Sequence, residues 1–134
     1  MNVLVLNCGS SSVRFQLIET DLEQVERGEF RRLAQGKVER VGGHALITAQ
    51  AAGGPKLVED APLRDHRAAV EWVLQWIVSS ESGIDSLKSV ADIHAVGHRV
   101  VHGGEHFQRS VQIDAFTKSV RPRSCVPAPF ESRK

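Results

Sequence analysis

The most constraining feature of this sequence is an apolar run that ends in a Gly/Ser-rich loop and resumes at once as an alternating segment. Residues 3–6 (VLVL) are a continuous run of strand formers, a pattern typical of a strand covered on both faces. Residues 7–12 (NCGSSS) are typical of a turn, and residues 13–18 (VRFQLI) alternate apolar with polar side chains. The pattern predicts a β-hairpin with a serine-lined turn.

Further strands are predicted along the rest of the chain. They are residues 33–41, a second hairpin formed by 45–49 and 56–59, and residues 95–101. Residues 22–32 are charged, and their secondary structure is ambiguous from the sequence.

One amphipathic helix precedes the last strand. Its apolar face is formed by Ala69, Trp72, Val73, Trp76 and Ile77. Asp65 suits its N-cap and Gly83 is expected to stop it. Strands, one helix and another strand predict the α/β class, a mixed β-sheet with flanking helices rather than a bundle or a sandwich.

Composition narrows the classes of partner. The 134 residues fit one domain, and 17 basic against 16 acidic side chains give a net charge of +1, which provides no global field for nucleic acid or membranes. No apolar run reaches the length of a membrane span, the first residues lack a signal-peptide pattern, and two cysteines make no disulfide framework. We expect a cytoplasmic protein with neither nucleic-acid nor membrane partners.

The charge is unevenly distributed along the chain. Residues 115–134 hold five basic side chains and one acidic, a net of +4, together with three prolines and no periodicity. We therefore predict a domain over residues 1–114 and a divergent basic, Pro-rich tail over 115–134.

The serine-lined turn suits an anion. Gly9 lets a phosphate approach the backbone, and in an extended chain Ser10, Ser12 and Arg14 would project to one side. Asn7 offers a carbonyl oxygen suited to Mg²⁺. The alternative interpretation is an ordinary solvated hairpin turn. A catalytic role for Cys8 is less favoured, because no histidine follows nearby in the sequence.

A second polar cluster lies at residues 98–104 (HRVVHGG). Strand alternation places Arg99 and Val101 on one face, where a guanidinium beside a small apolar side chain would bind a short carboxylate with a small alkyl tail. The four histidines spaced by four residues, His94, His98, His102 and His106, suggest a metal site only on a helix. On the predicted strand that spacing is about 13 Å, too long to share one ion.

Residues 3–18 (VLVLNCGSSSVRFQLI) and 95–107 (AVGHRVVHGGEHF) resemble, in wording and order, the two N-terminal signatures of the acetate kinase family. The resemblance implies an actin-like ATPase fold of ribonuclease H-like topology. It also implies Mg²⁺-dependent phosphoryl transfer from ATP to acetate, which gives ADP and acetyl phosphate, and a homodimeric assembly.

The resemblance also implies roles for single residues. Asn7 would hold Mg²⁺, Ser10 and Ser12 would be catalytic residues beside the transferring phosphate, and Ser12 and Arg14 would bind the phosphates of ATP. The family usually has Lys where Arg14 stands.

On the acetate side, the resemblance implies that Arg99 is catalytic and binds the carboxylate, and that Val101 lines the methyl pocket. Propionate kinase is a narrower alternative within the family.

Family members are much longer, and their later catalytic residues have no counterpart here. We therefore expect an incomplete N-terminal part of an acetate kinase, truncated or frameshifted and inactive alone. The alternative is a non-catalytic module that binds phosphate or carboxylate, or associates with an intact kinase subunit.

Overall fold

A computed structural model of the chain describes residues 1–100 and 107–114. They form a six-stranded sheet in the order β5-β4-β3-β2-β1-β6. The strands are β1 (Asn2–Cys8), β2 (Ser12–Glu19), β3 (Arg31–Glu39), β4 (Gly43–Ala51), β5 (Leu57–Leu63) and β6 (Ala95–His98). Neighbours pair antiparallel except β1 and β6, which are parallel, so both predicted hairpins and the mixed sheet are confirmed.

Two α-helices accompany the sheet, α1 (Leu22–Glu26) and α2 (His66–Val78). In α1, the Asp21 side chain accepts the Gln24 N–H, which resolves the ambiguous segment into a capped short helix before β3. In α2, the Asp65 side chain accepts the Ala68 N–H at 2.8 Å, as predicted for an N-cap. No helix in the described residues is long and apolar enough to cross a bilayer.

The core lies between α2 and one face of the sheet. The side chains of Leu4, Leu6, Val13 and Leu17 are fully buried there. Phe15 meets the buried Trp76 of α2 edge to face, with ring centroids 6.0 Å apart, so the predicted apolar stripe of α2 is core packing.

Three details of the sequence prediction are wrong. Val5 is 38% exposed, so β1 is covered on one face only, because α2 packs on a single side of the described sheet. The helix α2 ends at Val78, and Gly83 (φ 68°) instead caps a following 3-10 turn, Ser80–Ser82. The last strand ends at His98, so Arg99 lies beyond it; residue 101 is outside the described residues.

The start of β6 is tied to the start of β1. The Asn2 N–H donates to His94 Nδ1 at 2.9 Å, and the His94 N–H donates to the Asn2 carbonyl at 2.9 Å. The Asn2 side chain donates to the Asp92 carbonyl at 3.1 Å. These bonds align the strands so that Leu6 pairs with His98, and both strands end at the same edge of the sheet.

Candidate functional site

Residues 9–12, which join β1 to β2 and include the first residue of β2, form the serine loop. The Gly9 N–H donates to the Ser12 carbonyl at 2.8 Å and closes the turn. A Cβ placed on Gly9 would lie 2.7 Å from Ser12 Oγ, so the Ser12 hydroxyl occupies the space that glycine leaves open. The loop therefore depends on glycine for the position of one hydroxyl.

Two distant parts of the chain hold the serine loop. From the β3–β4 turn, the Val41 N–H donates to the Ser11 carbonyl at 3.0 Å. From the first residue of α2, His66 Nε2 lies 2.6 Å from the Gly9 carbonyl oxygen. A carbonyl only accepts, so Nε2 carries the proton. Sequence patterns did not indicate either anchor, because both contacts join residues far apart in the chain.

These anchors occupy carbonyl oxygens and leave backbone donors available. Among the described residues, the N–H groups of Ser10 and Ser11 have no hydrogen-bond partner. The side chains of Ser10 and Ser11 are exposed and that of Ser12 is half-buried. Free N–H groups beside serine hydroxyls are suited to donate hydrogen bonds to the oxygens of an anion.

A polar row crosses the open face of the sheet next to the serine loop. Asn7 pairs with Arg14 across β1 and β2, and Arg14 pairs with Lys37 on β3. Ser12 and Arg14 share this face, two residues apart on β2. Ser10 precedes β2, so strand alternation, used to predict its direction, does not apply to it.

The row opens onto a groove of about 630 Å³. Its polar lining includes Asn7, Arg14, Gln16, Lys37, Thr48 and Lys56, and none of its lining residues is a carboxylate. Lys37 also contacts Glu39 at 3.3 Å. Lys37 is a further cation of this face that was not predicted, although alternation with the buried Val38 places it there.

Because no carboxylate lines the groove, it offers few protein ligands for Mg²⁺. Magnesium is usually held by one or two carboxylates together with substrate phosphates and water. Asn7 could supply one neutral oxygen, with phosphate supplying others. The described residues contain no group of three His, Cys, Asp or Glu placed to hold a metal ion.

Arg99 lies at the same edge of the sheet as the serine loop. Its N–H donates to the Leu6 carbonyl at 3.2 Å, one residue before Asn7, and its side chain is exposed. The parallel β1–β6 pairing thus brings the two polar clusters of the sequence to neighbouring strand ends. Val101, with His102 and His106, lies outside the described residues.

Two alternatives from the sequence lose support in the structure. Burial raises the pKa of the half-buried Cys8 thiol, so it stays protonated and a poor nucleophile near neutral pH. His94 Nδ1 accepts the Asn2 N–H, which commits that ring to joining β1 and β6 rather than to a metal.

Comparison with known proteins identifies the family of this chain. The model of the acetokinase family matches residues 2–126. The acetate kinase of Solibacter usitatus is 54% identical over 113 residues, which are 84% of this chain and 27% of that protein. The acetate kinase of Chloroherpeton thalassium is 49% identical over 119 residues.

Two solved structures are also similar. Porphyromonas gingivalis acetate kinase superposes with a TM-score of 0.75 at 39% identity. The match covers 88% of this chain and 28% of the Porphyromonas gingivalis chain. A propionate kinase from Francisella tularensis gives 0.66 at 30% identity, covering 88% of this chain and 27% of its own. Both confirm the predicted α/β class and are consistent with the actin-like ATPase fold that the resemblance implies.

The chain spans about a quarter of the length of these relatives. The family match reaches residue 126, beyond the predicted boundary at residue 114, and residues 115–134 lie outside the described part of the chain. With the family model matching most of its 134 residues, the chain belongs to the acetokinase family.

Proposed function

We propose that this chain supplies the phosphate-binding and carboxylate-binding part of an acetate kinase. The reaction is reversible transfer of the γ-phosphoryl group of ATP to acetate, which forms acetyl phosphate and ADP. One observation carries the proposal: the serine loop, with its available N–H groups, and Arg99 lie at neighbouring strand ends of one sheet edge.

The phosphoryl group would be held by the serine loop. Ser10 and Ser12 donate hydroxyl hydrogen bonds to its oxygens, and the Arg14 guanidinium offsets phosphate charge from the adjacent open face. Asn7 provides one oxygen ligand for Mg²⁺, which when bound neutralises phosphate charge and orients the oxygens.

The acetate would be held by Arg99 through its carboxylate, with Val101 packing against the methyl group. A carboxylate oxygen of acetate forms the new bond to phosphorus as the bond from phosphorus to the β–γ bridging oxygen breaks. Acetate is already an anion, so no general base is required. The task of these residues is to align two anions that repel each other.

Two narrower questions belong to this proposal. The similarity to a propionate kinase makes propionate an alternative acyl substrate, decided by whatever surrounds the alkyl group. Because the chain spans about a quarter of its relatives, binding without turnover is the second candidate for the isolated chain. A cytoplasmic homodimer is the setting that family membership suggests.

The test uses amide NMR to measure the binding of acetyl phosphate, and of inorganic phosphate, to the purified chain. We expect saturable shifts at Ser10, Ser11 and Arg99, and several-fold weaker binding in Arg14→Gln and Arg99→Ala. Arg31→Gln is the matched control, because Arg31 pairs with Glu19 at the opposite end of β2. No saturable shift in the unmodified chain, or equal losses in the control, would sink the proposal.

A further inference from the structure

We propose that His66 is a positioning residue that sets the direction of the Ser10 N–H in the serine loop. The inference rests on the proposed function of that loop. It starts from the one side chain outside the loop that donates to it among the described residues, His66, whose Nε2 lies 2.6 Å from the Gly9 carbonyl oxygen.

The peptide bond transmits this contact. The described residues contain no cis peptide, so the Gly9 C=O and the Ser10 N–H lie in one rigid plane and point in opposite directions. Holding the carbonyl toward His66 therefore turns the Ser10 N–H away from it. Because α2 begins at His66 and packs on the covered face, we infer that the N–H points away from that face, toward the side that carries Arg14.

His66 is well placed to hold this plane. The Asp65 cap fixes the first turn of α2, and the next turns are anchored in the core by Ala69, Val70 and Val73. A donor mounted on a packed helix is more rigid than one carried by the loop itself. The Val41 N–H holds the Ser11 carbonyl, so the loop is fixed at two alternate peptides, Gly9–Ser10 and Ser11–Ser12.

The alternative is that His66 merely packs against the loop. Three variants separate the two roles. His66→Phe keeps a flat ring and removes the donor, whereas His66→Gln keeps an N–H donor near the position of Nε2. His44→Ala is the control, since the His44 side chain contacts Asp60 between β4 and β5 and, among the described residues, makes no hydrogen bond to the loop.

The experiment measures binding of inorganic phosphate and the amide NMR signals of Ser10 and Ser11 in each variant. We expect His66→Phe to shift both amide signals in the free protein and to weaken phosphate binding about tenfold, the loss of roughly one well-placed hydrogen bond. His66→Gln should bind within about threefold of the unmodified chain. His44→Ala should bind unchanged, and the melting temperatures should stay similar.

Failure of the inference is distinct from failure of the proposed function. If the unmodified chain binds phosphate and His66→Phe binds equally well, the inference is wrong and the proposed function stands. Equal losses in the Phe and Gln variants also overturn it, because the donor would then be irrelevant. If the unmodified chain binds no phosphate, the proposed function fails, and unchanged Ser10 and Ser11 signals in His66→Phe would overturn the positioning role as well.

Discussion

Strand alternation predicts the placement of some residues at the serine loop and not of others. Alternation correctly placed Ser12 and Arg14 on one face, since both lie in β2. It could not place Ser10, which precedes the strand, and it could not indicate His66, which is 57 positions from its partner Gly9. Side chains within one strand follow a local period, whereas a loop is shaped by contacts that only the fold creates.

Gly9→Ala tests whether the Ser12 hydroxyl is part of the anion site. The new Cβ would meet Ser12 Oγ at 2.7 Å, so the hydroxyl must rotate while the backbone can stay. We expect phosphate affinity, measured by NMR titration, to fall roughly five- to tenfold. The free energy of unfolding should change by less than about 1 kcal/mol.

Gly54→Ala is the comparison for Gly9→Ala. Its Cβ would make only an ordinary contact, 3.5 Å from the Ala51 carbonyl oxygen, beyond the end of β4. Unaltered phosphate affinity in Gly9→Ala would show that the Ser12 hydroxyl is not a ligand.

The packing of strands β2, β3 and β4 depends on a close contact at Gly36 that the sequence does not predict. Gly36 of β3 lies between Phe15 of β2 and the backbone of Thr48 on β4. The Phe15 ring is buried and held against Trp76, so it cannot move aside freely. The sequence predicted all three strands, yet a glycine in a strand only suggests such a contact.

Gly36→Ala should destabilise the sheet by about 1–3 kcal/mol, the usual cost of an overpacked core. The added methyl group would lie within 2.7 Å of the Phe15 ring and even closer to the Thr48 carbonyl. Urea unfolding measures the change. Gly43→Ala on β4 is the control, because nothing lies within 4 Å of its Cβ, and equal stability of the two variants would contradict the packing argument.

The Asp92 carboxylate, which lies shortly before β6, accepts hydrogen bonds whose contribution to stability depends on pH. Hydrogen bonds from the backbone N–H groups of Lys88 and Ser89 lower the pKa of Asp92, with a smaller contribution from His94. A lowered native pKa means that this contribution is present above the unfolded pKa, about 3.9, and is lost as the pH falls through the native value.

Asp92→Asn should therefore lower the melting temperature near neutral pH and lose that effect in acid. Thermal melts between about pH 6 and pH 3 should show the difference from the unmodified chain shrinking as the carboxylate is protonated. Asp85→Asn is the control, because the Asp85 side chain is fully exposed and lies 3.8 Å from Lys88 Nζ. A pH-independent difference would rule out the capping carboxylate as its source.

Within the described part of the chain, the candidate site lies on the face of the sheet opposite α2. Continuous apolar residues in β1 predicted cover on both sides, yet Val5 is exposed and the groove beside Arg14 is open. A sequence shows that a strand prefers burial, but not which part of a protein supplies the cover. The fold class and the two clusters were predictable because both depend on short segments, whereas their meeting at one edge depends on the parallel pairing of β1 with β6.

We therefore expect the isolated chain to bind phosphate but not to catalyse phosphoryl transfer from ATP to acetate. In the proposed mode its described groups would contact the phosphoryl group from one side, and in-line transfer also needs charge stabilisation around the leaving oxygen, which can contribute several orders of magnitude in rate. We expect no acetyl phosphate above background when the chain, ATP, Mg²⁺ and acetate are combined and acyl phosphate is trapped with hydroxylamine. The full-length acetate kinase of Solibacter usitatus, 54% identical over the shared part, is the positive control. Robust hydroxamate formation that disappears in Arg99→Ala would show instead that these residues suffice for catalysis.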